Sequence, residues 1–415
     1  MQTVTGVKMS VKARLSIIFL AVLLILALAG VSLATADTGS GYVDLLYAAD
    51  YNHDLVHVYD VSASSFAKVA TISIEKPSVV VASNDGKRVY VASSGSLTSG
   101  FYVISTANQT VIARYSLPDD GAGDIGISPD DRYVYVVTAT RFIILDTATG
   151  KTSEKTIDTD RYTTLTTARD MDVNKAYFAA PGSSELFVYD SYDDAIYSYH
   201  LNCEIGYLSA LSGTRLLGTD KLGEINILNY NYYTGVEGWS YTPRPVGISS
   251  SFFVPYLTVS NDQKTAYFTD RENNRVYEVN LEDFTSRRLV NVSDWESPTR
   301  GVFSSDDSKV FICDDTGVLG LYTVNNTQYA YFYGYKATDV DIATVQAAES
   351  ISGATTTPKP EVVSPSPEPT DIPASWVSPT VTPTATPATT PTLAVLPVIA
   401  LILSIYGMSR IYRKY

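Results

Sequence analysis

From Tyr42 to Val345 the chain alternates short apolar runs with polar turns at a regular interval. Each unit opens with a short apolar strand and passes through a polar turn into a strand centred on an aromatic residue or leucine. Two further strands follow before the next unit begins. Residues 77–114 and 124–151 are the clearest copies. The centres of the second strands are Tyr47, Tyr90, Tyr135, Tyr177, Leu216, Tyr267 and Phe311, spaced 43, 45, 42, 39, 51 and 44 residues apart. Four strands per unit at a period of about 40–45 residues define the blades of a β-propeller. Asn84-Asp85-Gly86 and Asp130-Asp131 are hairpin turn signals between first and second strands.

The ends of the repeat region determine how the ring closes. The first copy begins at its second strand and lacks an innermost one, while a solitary strand at residues 339–345 follows the last copy. That strand is expected to complete the first blade and hide two edges that would otherwise aggregate. The fold class is therefore all-β, a seven-bladed propeller closed by its C-terminal strand. The 51-residue gap leaves room for an eighth blade. By pattern the innermost strand of the fourth blade falls at residues 170–173.

Four of the turns resemble the YVTN-type β-propeller repeat of archaeal surface-layer-associated proteins. They are Ser-Asn-Asp-Gly-Lys-Arg-Val-Tyr-Val-Ala-Ser (83–93), Ser-Pro-Asp-Asp-Arg-Tyr-Val-Tyr-Val-Val-Thr (128–138), Ser-Asn-Asp-Gln-Lys-Thr-Ala-Tyr-Phe-Thr-Asp (260–270) and Ser-Ser-Asp-Asp-Ser-Lys-Val-Phe-Ile-Cys-Asp (304–314). The fourth and fifth units depart from it, with a shortened turn before Tyr177 and a Leu216-Leu217 pair in place of Tyr-Val. The resemblance implies a cell-surface propeller and is weak on activity, because one fold hosts many functions.

The flanks of the repeat supply an address. Lys8, Lys12 and Arg14 precede an apolar run and an Ala34-Thr35-Ala36 site, the order of a secretory signal over residues 1–36. The propeller spans 37–350 and a Pro/Thr-rich stalk 351–392, with ten prolines between Ala354 and Thr392. Such a stretch favours extended polyproline structure and O-glycosylation. An apolar segment at 393–409 reads as a membrane helix, and the basic tail 410–415 would stay inside. A processed sorting signal is the alternative for this end.

Charge narrows the partners. The chain carries 44 acidic and 30 basic residues, a formal charge of −14. Six of the basic residues lie in the two ends, leaving −20 on residues 37–392. Such a body repels phosphate backbones, so no nucleic-acid partner is expected. A membrane, through the C-terminal helix, and a surface-layer protein or glycan are the expected partners.

Candidate chemistry gathers at the mouth of the central channel, where innermost strands start and second strands end. Asp124, Arg169, Asp170, Arg300 and Asp339 fall at innermost-strand starts, and Asp50, Asp270 and Asp314 close second strands. Clustered carboxylates there suit Ca²⁺, which takes six to eight oxygen ligands; Asp is equally a preferred turn residue. The run from Asp50 to Asp54 starts like a calcium loop but fails at Leu55 and Val61. His53 and His57 are four residues apart on a presumed strand, too distant to chelate readily, and His200 is remote. Cys203 and Cys313 fall in well-separated blades, so no disulfide is expected. Asn108, Asn291 and Asn325 head glycosylation sequons. There is no Gly-x-Ser-x-Gly elbow and no Asp-box. The expected function is therefore non-enzymatic binding or adhesion, with an extracellular lactonase-like or glycan-directed hydrolase as the alternative. Tyr-rich stretches at 230–233 and 329–335 suit strand packing first and sugar stacking second.

Overall fold

Every second-strand centre named above is fully buried, Tyr47, Tyr90, Tyr135, Tyr177, Leu216, Tyr267 and Phe311 each showing 0–1% exposure. The computed structural model describes residues 41–346 except 63–66, 95–98, 118–120, 158–163, 169–173, 232–237, 247–254 and 290–295, and omits the side chains of Arg288 and Tyr329. The signal, stalk, membrane segment and tail lie outside the described residues, as does Asn291.

Seven four-stranded antiparallel sheets are present among the described residues. In blades 2–7 the strands run outward in chain order. Blade 1 is composite. Its innermost strand, Ala337–Gln346, pairs with Tyr42–Asp50 over the full length of the latter. The solitary C-terminal strand therefore closes the ring as expected. The 51-residue gap adds no blade, because Gly238–Pro245 ends blade 5 and Tyr256–Val259 begins blade 6.

The blades pack through seams rather than around one centre. Side chains alternate along a strand, so Tyr47 faces the seam with blade 2 while Leu46 and Ala48 face the seam with blade 7. The described core resolves into seven clusters, one between each pair of neighbours. Tyrosine suits this position because its ring fills the seam and its hydroxyl reaches across it. The Tyr47 hydroxyl donates to Gln109 Oε1 of blade 2 at 2.8 Å, and that of Tyr177 to the Gly213 carbonyl of blade 5 at 2.6 Å. Tyr267 donates likewise to Asn326 of blade 7.

The repeated turn is a clamp between blades. Asp131 Oδ1 accepts from the backbone and side-chain N–H of Asn84 at 2.7 and 2.9 Å, and its Oδ2 accepts from the Asp85 N–H at 2.7 Å. Asp307 grips Asn261 and Asp262 in the same way, joining blades 6 and 7. The fourth turn residue is left-handed in each copy: Gly86 (φ 70°), Asp131 (58°), Gln263 (60°) and Asp307 (57°). Only at Gly86 does the space also demand glycine, since a Cβ there would overlap the Thr344 carbonyl oxygen of the closing strand.

One strand differs from expectation. The innermost strand of blade 4 is Thr164–Thr167, not residues 170–173. Arg169 and Asp170 lie outside the described residues. The Thr-rich segment lacks the apolar pattern of an inner strand for a physical reason: its hydroxyls serve the next blade, as follows.

Candidate functional site

Innermost strands have a partner on one side only, so N–H groups along the channel need acceptors from elsewhere. Several come from the preceding blade. Asp339 Oδ2 accepts from Val80 N–H at 3.0 Å and Asp341 Oδ2 from Ala82 N–H at 2.7 Å. Asp124 Oδ2 accepts from Leu165 N–H at 2.9 Å. Thr164 and Thr166 hydroxyls accept from Leu208 and Ala210 at 3.4 and 3.0 Å. Carboxylates at strand starts are in this way joints of the ring.

Across the channel these joints meet one cation. Arg300 leads into the innermost strand of blade 7, Gly301–Phe303, and its guanidinium makes a two-pronged contact with Asp124 of blade 3, Nη1 and Nη2 each at 2.8 Å. Nη1 also lies 3.4 Å from Asp339 Oδ2 of blade 1. The rings of Tyr207 and Tyr256, before and at the inner strands of blades 5 and 6, stack 3.8 Å apart, and the guanidinium carbon lies 5.8 and 5.9 Å from their centres. Residues of four other blades thus converge on the blade 7 guanidinium. Burial lowers the Arg300 pKa, but the Asp124 and Asp339 charges outweigh it and hold the group well above its ordinary value. Burial pushes the Asp339 carboxyl up to about 7, with Arg300 pulling the other way.

The second-strand carboxylates do not join this cluster. Asp50 is buried and takes His53 Nδ1 at 2.8 Å and His57 Nε2 at 3.2 Å on the same oxygen. His53 lies in the turn after Asp50, not on a strand, so the hairpin brings both imidazoles to one carboxylate. Asp270 accepts from the backbone and side chain of Asn273. Asp314 accepts from the N–H groups of Thr316 and Gly317, each at 2.8 Å, and burial raises its pKa. Each of the three closes its own turn. Among the described residues no three His, Cys, Asp or Glu side chains are grouped to hold a metal ion.

Beside the plugged channel lies an open groove of about 670 Å³ at the seam of blades 7 and 1. His53, Glu296, Asp315, Thr316, Tyr331 and Lys336 contribute to its walls, with a Lys336–Asp315 ion pair at 2.7 Å. Its size falls within the range of about 300–1,000 Å³ usual for ligand pockets. Asn108 and Asn325 occupy equivalent turns between third and fourth strands, each accepting from the sequon threonine hydroxyl at 2.7 Å. Cys203 and Cys313 are both free.

The groove at blades 7 and 1 takes Tyr331, Tyr333 and Tyr335 from the Tyr-rich stretch at 329–335, but Tyr207 and Tyr256 were not legible as site residues. An aromatic at an inner-strand start was their only signal, and it matches ordinary strand composition.

No family model matches the chain, and no curated protein matches it in sequence. Solved structures do match in fold. A protein of unknown function from Desulfotomaculum acetoxidans superposes with a TM-score of 0.55 at 14% identity, covering 72% of this chain and 98% of its own. A putative 6-phosphogluconolactonase from Bacteroides fragilis gives 0.58 at 9% identity, covering 74% and 99%. The dihydro-heme d1 dehydrogenase NirN gives 0.52 at 12% identity, covering 74% and 75%. At such identities the likeness is one of fold, the seven-bladed propeller.

Proposed function

We propose that this chain is a non-enzymatic binding module of the cell surface, recognising a surface-layer protein or glycan with the face around the channel mouth. The observation that carries this reading is the Arg300–Asp124–Asp339 cluster. Its charges are engaged with one another and its carboxylates with neighbouring backbone, so the mouth works as a rigid plug. The adjoining groove between blades 7 and 1 has room for a partner. In this reading the signal, stalk and C-terminal helix deliver and anchor the propeller outside the cell, and Asn108 and Asn325 carry glycans on the opposite face.

Pull-down of native surface complexes, with and without chelator, tests it. A specific partner lost on Glu296→Ala plus Lys336→Ala supports the reading, and chelator sensitivity would add a divalent cation. Recovery of the same proteins with and without these substitutions counts against it.

A second reading, an extracellular lactonase-like or glycan-directed hydrolase, draws on Asp339. A carboxyl titrating near neutrality suits general acid–base work, and two Bacteroides relatives in fold are named putative 6-phosphogluconolactonases. Turnover on a lactone or glycoside panel, abolished by Asp339→Asn in a folded protein, would favour it over binding.

A further inference from the structure

Away from the mouth, blades 4 and 5 enclose a second groove of about 290 Å³, half of whose lining residues are aromatic. We infer that it is a binding site for a single neutral sugar ring, formed by Tyr197, Tyr199, Tyr230, Trp239, Lys175 and Asp190. This site goes beyond the mouth-face reading and does not depend on it.

The construction follows from strand geometry. Tyr197 and Tyr199 are two apart on the outer strand of blade 4, Ala195–Ile205, and so share one face. Tyr230 and Trp239 are direct cross-strand partners in blade 5, and their rings meet edge to face at 5.5 Å. Tyr199 meets Tyr230 at 6.0 Å across the seam. On the blade 4 side, Lys175 and Asp190 are also cross-strand partners and pair at 3.0 Å. Among the described residues the enclosed Trp239 indole N–H has no acceptor.

The chemistry selects the occupant. Aromatic faces take the C–H face of a pyranose, while its hydroxyls need donors and acceptors together. Lys175 donates, Asp190 accepts, and the indole N–H offers a further donor that a hydroxyl oxygen would satisfy. A quaternary ammonium also favours aromatic walls and carboxylates, but both carboxylates of the groove already have partners within it, Asp190 in Lys175 and Asp193 in the Tyr197 hydroxyl. The groove lies at the small end of ligand pockets, about 300–1,000 Å³, which limits it to about one ring.

The test is saturation-transfer NMR and calorimetric titration of the full chain. The probes are the methyl glycosides of glucose, galactose, mannose and N-acetylglucosamine, with tetramethylammonium as the competing chemistry. Saturable binding of at least one glycoside is expected. Trp239→Phe, which keeps the ring and loses the N–H, weakens it several-fold, and Trp239→Ala by about tenfold or more. Lys175→Met, which leaves the aromatic walls intact, provides a second reading and is expected to weaken binding at an unchanged melting temperature. The inference is overturned if no glycoside binds, if tetramethylammonium binds instead, or if the folded Trp239 and Lys175 variants bind glycoside as the native chain does. Failure to capture a surface partner at the mouth face would leave these results untouched.

Discussion

Arg300 and Asp124 stand 176 residues apart in the chain, yet meet through two hydrogen bonds of 2.8 Å across the central channel. Blades 7 and 3 share no seam, so this contact braces the ring from within. Replacing Arg300 by Met leaves Asp124 and Asp339 enclosed without their counter-charge, which for buried pairs costs about 3–5 kcal/mol. Denaturant unfolding should show that loss, and Asp124→Asn in the same chain should recover part of it. Equal stability of Arg300→Met and the native protein would refute the brace.

Asp339 predicts a pH dependence. Its folded-state pKa of about 7 lies above the ordinary 3.8, so the folded chain holds that proton more tightly than the unfolded one. The associated stability is complete below about pH 4 and is lost as the pH rises through about 7. Unfolding free energy should therefore fall between about pH 5 and about pH 8. Asp339→Asn keeps an acceptor for the Val80 N–H and should flatten that slope; an unchanged slope would assign it to another group.

The seam tyrosines separate into two kinds. Tyr47 and Tyr177 donate across their seams, whereas the buried Tyr135 hydroxyl has no hydrogen-bond partner among the described residues. Tyr47→Phe and Tyr177→Phe should each cost about 1 kcal/mol, and Tyr135→Phe should be neutral or stabilising. Thermal melts of the three variants distinguish them, and equal losses would remove the distinction.

Gly86 is constrained twice, by its left-handed backbone and by the Thr344 carbonyl against it. Gly86→Ala should destabilise by more than about 1 kcal/mol, while Gln263→Gly at the equivalent turn should relieve strain at little cost. Hydrogen exchange along Ala337–Gln346 should accelerate in the alanine variant; protection equal to that of the native chain would show that the closing strand yields.

The inter-blade clamp predicts that Asp131→Ala and Asp307→Ala each lose about 1–3 kcal/mol, since three donors lose their acceptor in either case. Neither residue touches the mouth, so partner capture by the folded variants should be unchanged.

Seam residues were readable in the chain because complete burial demands large apolar side chains, and Tyr47 through Phe311 repeat that demand at a blade's spacing. The clasp was readable because an unpaired edge is costly, and residues 339–345 were the strand left over. The inner strand of blade 4 was misplaced because Thr164 and Thr166 look polar until the Leu208 and Ala210 N–H groups they satisfy are in view. His53 and His57 are closer than an extended strand would allow because the chain turns between Asp50 and Leu55. The meeting of Arg300 with Asp124 exists only once the ring has closed, and no local pattern announces it.

The closing strand has a mechanical consequence. Hydrogen bonds between Ala337–Gln346 and Tyr42–Asp50 lie across the strand direction. A pull on the chain beyond Gln346, directed along the strand, therefore loads the rungs of this ladder together instead of peeling them one at a time. Rupture must break them almost at once, with the Asp339 and Asp341 joints to blade 2 resisting alongside. The segment that completes the ring would thus bear such a pull in shear.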